Sequence, residues 1–230
     1  DVQHDAMTGA SPWFVGTSVD GSPGVVMSGA SISDNRTEVA ATTRYYFANG
    51  NGGLRLSQSD EDDYRAKAVS ADVSFNSDDN LRTYSFAYSS SDDTIKPTQG
   101  KTPTSYRKGS KATESAWIAV SQIVSKTTVV RAGLSFTQQQ GQLSDPYKLF
   151  DVRPDQRNLR TFSFGIRHHL MENNATIRLD YRYYKDSWSI NSHTATVEWY
   201  KRFTRTAIMP YFRYFSQSEA YFFDTVADTS

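Results

Sequence analysis

From Ala175 to Tyr184 apolar and polar residues alternate without a break. Ala175, Ile177, Leu179, Tyr181 and Tyr183 fall on one side, and Thr176, Arg178, Asp180, Arg182 and Tyr184 on the other. Successive side chains of a β-strand point to opposite faces, so this run predicts a strand with one apolar and one charged face. Thr194 to Phe203 repeats the division, with Ala195, Val197 and Trp199 opposing Thr194, Thr196, Glu198, Tyr200 and Arg202. A half-buried soluble strand also alternates. A charged ladder behind an apolar face that ends in aromatics is the pattern of a barrel with lipid outside and water inside.

The same alternation predicts strands over roughly 39–47, 64–75, 81–89, 113–124, 127–137, 160–170 and 207–223, with weaker candidates at 11–19 and 25–32. Residues 1–10 read as a polar N-terminal tail, 11–223 as one barrel, and 224–230 as the start of a further loop. Short connections near 33–36, 76–80, 125–126, 171–174 and 204–206 alternate with longer ones near 48–63, 90–112, 138–159 and 185–191. Bacterial outer-membrane barrels keep short turns on the periplasmic rim and long loops on the other. A β-sandwich has many short strands too, but no reason to sort its loops by parity. The expected fold class is therefore all-β, an antiparallel transmembrane β-barrel of about twelve strands. Ten or eleven can be traced in the sequence, and the even strand number of such barrels leads us to expect a final strand beyond Ser230. Pro210 suits a strand start or bulge near that end.

Composition narrows the function classes. The 230 residues carry 25 basic and 25 acidic side chains, a balance that argues against nucleic acid as a partner. There is no Cys, which removes thiolate metal sites and disulfides. No run of 18 apolar residues occurs, so a helical span is excluded while a barrel, needing only alternate apolar positions, is not. The chain opens at Asp1 without a basic-then-apolar leader, and the expectation is a bacterial outer-membrane protein whose signal peptide has been removed.

Four segments bear a family resemblance: Asp151-Val152-Arg153-Pro154-Asp155-Gln156-Arg157, Tyr181 through Trp188, Ser192-His193-Thr194, and Arg213-Tyr214-Phe215-Ser216-Gln217-Ser218. Together they resemble a bacterial outer-membrane family known as domain of unknown function 3570. Its members usually carry Gly in the loop before Ser-His-Thr, where this chain has Ser189. The resemblance implies an integral outer-membrane barrel and brings no established activity.

Two constellations could carry function. The ladder of inward charges comprises Asp72, Arg131, Arg167, Arg178, Asp180, Arg182, Glu198, Arg202 and Arg213, six positive against three negative. It suits either an anion-preferring lumen or a plug of paired charges filling a narrow barrel. The second is a rim cluster of Asp151, Arg153, Asp155, Arg157, Asp186, Trp188 and His193. Acids beside a His could activate water; alternatively the arginines fork onto carboxylates and cap three loops. Nothing fixes a nucleophile or an oxyanion site. His168 and His169 are adjacent and point to opposite faces, so they cannot chelate one metal. The expected protein is a non-enzymatic narrow pore, or the anchor of a surface assembly. It would contact outer-membrane lipid and possible envelope or surface proteins, with no catalytic residue, metal or cofactor. The alternatives are a rim hydrolase near His193 and a soluble ligand-binding barrel.

Overall fold

The computed structural model describes residues 2–9, 12–17, 23–27, 32–97, 108–146 and 151–223. They form strands throughout: β1 (Val2–Gly9), β2 (Pro12–Thr17), β3 (Pro23–Met27), β4 (Ile32–Phe47), β5 (Gly50–Asp60), β6 (Tyr64–Asn76) and β7 (Arg82–Ile95). These are followed by β8 (Gly109–Ser125), β9 (Thr128–Gly141), β10 (Gln156–Leu170), β11 (Ala175–Asp186), β12 (Asn191–Arg202), β13 (Ala207–Ile208) and β14 (Tyr211–Gln217). Twelve of them make one antiparallel sheet in which β1 pairs β4 and each strand from β4 to β12 pairs the next. β13 and β14 both pair β12, one lateral position broken at Met209–Pro210. The proline lacks a donor, but its carbonyl accepts the Trp199 N–H at 3.1 Å, so the interruption acts as a bulge. Among the described residues the sheet does not close.

The antiparallel, twelve-stranded, all-β reading holds, and several boundaries change. Val2–Gly9, expected as a tail, is an edge strand in register with Ile32–Val39. The expected turn at 33–36 lies inside β4. Its Asp-Asn-Arg composition suggests a turn, but Arg36 is held in the strand by Glu38 at 2.7 Å and Ser59 at 2.9 Å. The two weak N-terminal candidates pair with each other as the β2–β3 hairpin and stay off the main sheet. The expected long loop at 48–63 contains the whole of β5. Gly and Asn at its start hid it, and the structure shows why a glycine belongs there. A Cβ on Gly53 would come within 2.6 Å of Asp72 Oδ1 and 2.7 Å of Arg44 Nη2. The Arg44–Asp72 ion pair, 2.8 Å long, thus bridges β4 and β6 over the bare backbone of β5.

With β5 in place, the connections alternate between two rims, and every connection on one of them is short. Ala48–Asn49, 77–81, 126–127, 171–174 and 203–206 share one rim, and all are short. The opposite rim carries the short connections 61–63 and 187–190, together with the ends of β7, β8, β9 and β10 that lead into the longer ones. In the short turn after β6, Asn80 takes φ 56°. Asp79 accepts the Ser77 hydroxyl and the Leu81 N–H, bonds that hold its carboxylate below the usual range.

Register sets the two faces. Ile166, Leu179, Val197 and Phe212 lie side by side on β10, β11, β12 and β14. Leu134, Phe162 and Tyr183 form a second such row, and Val73, Phe86 and Ile118 extend the apolar face to β6. These side chains stay out in the open: Leu134, Leu179, Val197 and Phe212 are all exposed. Buried hydrophobics among the described residues are limited to Ala40, Ile95, Ala175 and Trp188, and no large side chain is fully enclosed. The sheet has an apolar surface and no apolar core.

Candidate functional site

The charged ladder occupies the opposite face. Arg131, Gly165, Asp180, Thr196 and Arg213 stand in one lateral row across β9, β10, β11, β12 and β14. Arg167, Arg178 and Glu198 form the neighbouring row. Arg182 lies between Ser163 and Thr194, and Arg202 sits at the β12 end beside Ala207. Asp72 lies on β6, far around the sheet, where Arg44 neutralises it. Gly165 makes room for this chemistry, since a Cβ there would meet Asp180 Oδ1 at 2.8 Å. Small residues between long charged ones open a concavity of about 250 Å³ lined by Trp117, Arg131, Ser163, Asp180, Arg182 and Thr196.

Pairing along the face is uneven. On β4–β6 the charges neutralise one another: Arg44 with Asp72, and Arg36 and Arg55 with Glu38. On β9–β14 Arg178 binds Asp180. Arg131, Arg167, Arg182 and Arg213 form no ion pair with any described residue, leaving an excess of guanidinium on that half.

The rim cluster divides. Arg157 Nε and Nη2 donate to Asp186 Oδ2 at 2.8 and 2.6 Å, and the Tyr184 hydroxyl donates to the same oxygen at 2.7 Å. Asp186 Oδ1 accepts the N–H groups of Trp188 and Ile190 at 2.9 and 3.0 Å. Its side chain has no solvent exposure. The Trp188 ring lies 4.2 Å from the Arg157 guanidinium, donates from Nε1 to the Gln156 carbonyl, and meets Phe222 edge-on at 5.1 Å. The result is a dry cap joining β10, the β11–β12 loop and the segment after β14. Of these partners Tyr184 and Phe222 escape a charge-based reading of the sequence.

Asp151 and Arg153 bind each other at 2.8 Å, and Asp151 also accepts the Asp145 N–H, so they order the β9–β10 loop. Asp155 joins that loop through its carbonyl, which accepts the Gly141 N–H at 2.7 Å. His193 does not join the cluster. It pairs with Tyr183 on the apolar face, bonded to the Tyr181 hydroxyl at 2.8 Å, while Asp186 belongs to the polar face. Alternation forces this, since His193 shares parity with Ala195 and Val197. His168 and His169 diverge as expected, bonding Thr128 and Thr176 on opposite neighbours.

No curated protein matches this chain. Among solved structures it is similar to the KdgM porin, at 11% identity and a TM-score of 0.38, over 94% of this chain and 91% of that one. The family model described as "Protein of unknown function (DUF3570)" matches residues 4–230, and the chain belongs to that family.

Proposed function

We propose that this protein is an integral bacterial outer-membrane β-barrel, without enzymatic activity, that passes small anions along its polar face. The carrying observation is the opposition of the two faces. One presents exposed Leu, Val, Phe and Tyr over no core, and the other presents arginines that no described residue pairs, around an open concavity. Isolated apolar residues on a soluble surface are ordinary, but contiguous apolar bands mark contact with lipid or a partner. Arginines lining a pore favour anions. Reversal potentials across a planar bilayer under a salt gradient are expected to show anion preference. Cation preference would overturn the charge assignment.

A second observation supports an anchoring role. Above Phe136 the apolar-face positions become Gln138 and Gln140, and above Phe162 they become Arg160, Asn158 and Gln156. Strand segments polar on both faces thus stand clear of the band on the long-loop rim, where envelope or surface proteins could seat. Absence of any conductance would favour this role over the pore.

Orientation follows from the sorted rims, with short turns periplasmic. A membrane-impermeant thiol reagent applied to intact cells should label Thr102→Cys, between β7 and β8, and spare Asn173→Cys, between β10 and β11. The reverse pattern inverts the topology.

A further inference from the structure

Arg160 and Lys185 stand directly opposite each other on β10 and β11. Both lie on the apolar face and both are exposed. Directly opposed residues in such a ladder hold their Cβ atoms about 4.5–5.5 Å apart, and like charges there destabilise the sheet. Neither cation has a hydrogen-bond or ion-pair partner among the described residues. On β5–β7 the cations of the same face are matched with acids: Lys67 is set opposite Asp92 on β7, and Arg65 binds Asp60. The position of the unmatched pair is equally specific. Its lateral row, Phe136–Arg160–Lys185–Asn191, is the first above the row Leu134–Phe162–Tyr183–His193. The two cations therefore sit at the upper edge of the apolar band, on the long-loop side.

We infer that Arg160 and Lys185 form a binding site for the phosphate of a lipid headgroup in the outer leaflet. The inference rests on the membrane reading and is independent of whether the barrel conducts. A phosphate monoester carries close to two negative charges and several acceptor oxygens, enough to neutralise both cations at once. Arginine grips two of those oxygens in its planar fork, and lysine supplies a point charge. A lipid suits the place better than a free ion, because its acyl chains would lie along Leu134, Phe162 and Tyr183, directly below. Through this contact the bound lipid would relieve the repulsion between the two strands.

The test uses the full chain in detergent, with bisphosphorylated lipid A as the probe and native mass spectrometry as the readout. Fully dephosphorylated lipid A and inorganic phosphate alone serve as comparison probes. Each cation near an anionic lipid surface contributes enough that losing both should weaken lipid A binding about thirtyfold. Arg160→Ser/Lys185→Ser is expected to show that loss, and Lys67→Ser, whose cation faces Asp92, to bind as the parent does. The double variant should melt no lower than the parent in lipid-free detergent, since it removes a repulsion. Equal binding by parent and double variant overturns the site, as does an equal loss in Lys67→Ser. Inorganic phosphate bound as tightly as lipid A, or dephosphorylated lipid A bound as tightly as the phosphorylated form, also overturns it. Flotation of the parent with phosphatidylcholine vesicles reports the membrane reading separately. A protein that floats yet shows no preference for phosphorylated lipid sinks the site alone.

Discussion

Asp186→Ala is expected to lower the stability of the folded barrel by about 3–5 kcal/mol, the cost of removing one partner from a buried ion pair. The carboxylate accepts five hydrogen bonds, two from Arg157 and one each from Tyr184, Trp188 and Ile190. Its removal leaves the Arg157 guanidinium beneath Trp188 without an anion, and two loop N–H groups without acceptors. Each such buried orphan carries its own desolvation penalty. Urea unfolding of the refolded protein in detergent measures the effect, with intrinsic Trp fluorescence reporting on Trp188. Asp186→Asn, which keeps one acceptor oxygen, turns the other into an amide donor and loses the charge, should fall between parent and alanine variant. A loss under 1 kcal/mol for Asp186→Ala would mean that this cap does not hold the rim together.

Leu179→Arg is expected to cost about 2–4 kcal/mol in a bilayer, the penalty for a cation near mid-depth on the lipid face of a barrel. Leu179 is 41% exposed and sits in the row Ile166–Leu179–Val197–Phe212, with apolar neighbours on both sides. Thr176→Arg provides the contrast. Thr176 lies three residues away on the polar face near the short-turn rim, bonded to His169 at 3.2 Å, where a new cation stays hydrated. Refolding equilibria of the two variants in lipid vesicles should separate clearly. Equal losses would show that the faces have been assigned wrongly.

The alternation that defines Leu179 was plain in the sequence, as were the strands on either side of it, because a period of two over ten residues leaves little choice of face. Legibility failed wherever that contrast fades. Ser90–Ile95 and Gln138–Gly141 are strands with polar residues on both faces, so they looked like loop. What holds the first of them includes a contact across three strands, where Asp93 meets the Tyr64 hydroxyl and Lys111. No local pattern announces such a contact. β5 was hidden by glycines whose purpose lies in side chains of β4 and β6. The ladder was read residue by residue, yet which of its arginines remain unpaired depends on lateral register, which sequence does not state. His193 was grouped with the rim acids by proximity along the chain, although its parity already assigned it to the apolar face. Ser189 records a tension visible in both. It adopts φ 67°, a conformation easy for glycine and costly for other residues, at the position where the resemblance leads one to expect Gly.

The height of the apolar band has a consequence for where the protein can reside. From Val130 to Phe136 the band is seven residues tall and from Ala175 to Tyr183 nine, whereas β8 and β9 run for 17 and 14 residues. At about 3.3 Å per residue and a tilt near 40°, seven to nine residues span roughly 18–23 Å along the bilayer normal. That is well short of the ~30 Å hydrocarbon thickness of an average membrane. In the bilayer that the proposed function implies, surrounding lipid would thin to meet the band, or the belt above and below it would be drawn into hydrocarbon, and either carries a cost for each ångström of mismatch. Hydrophobic mismatch of this sign sorts a protein toward thin membranes. A chain misdelivered to a thicker bilayer would be penalised by its own geometry before any partner or solute came into play.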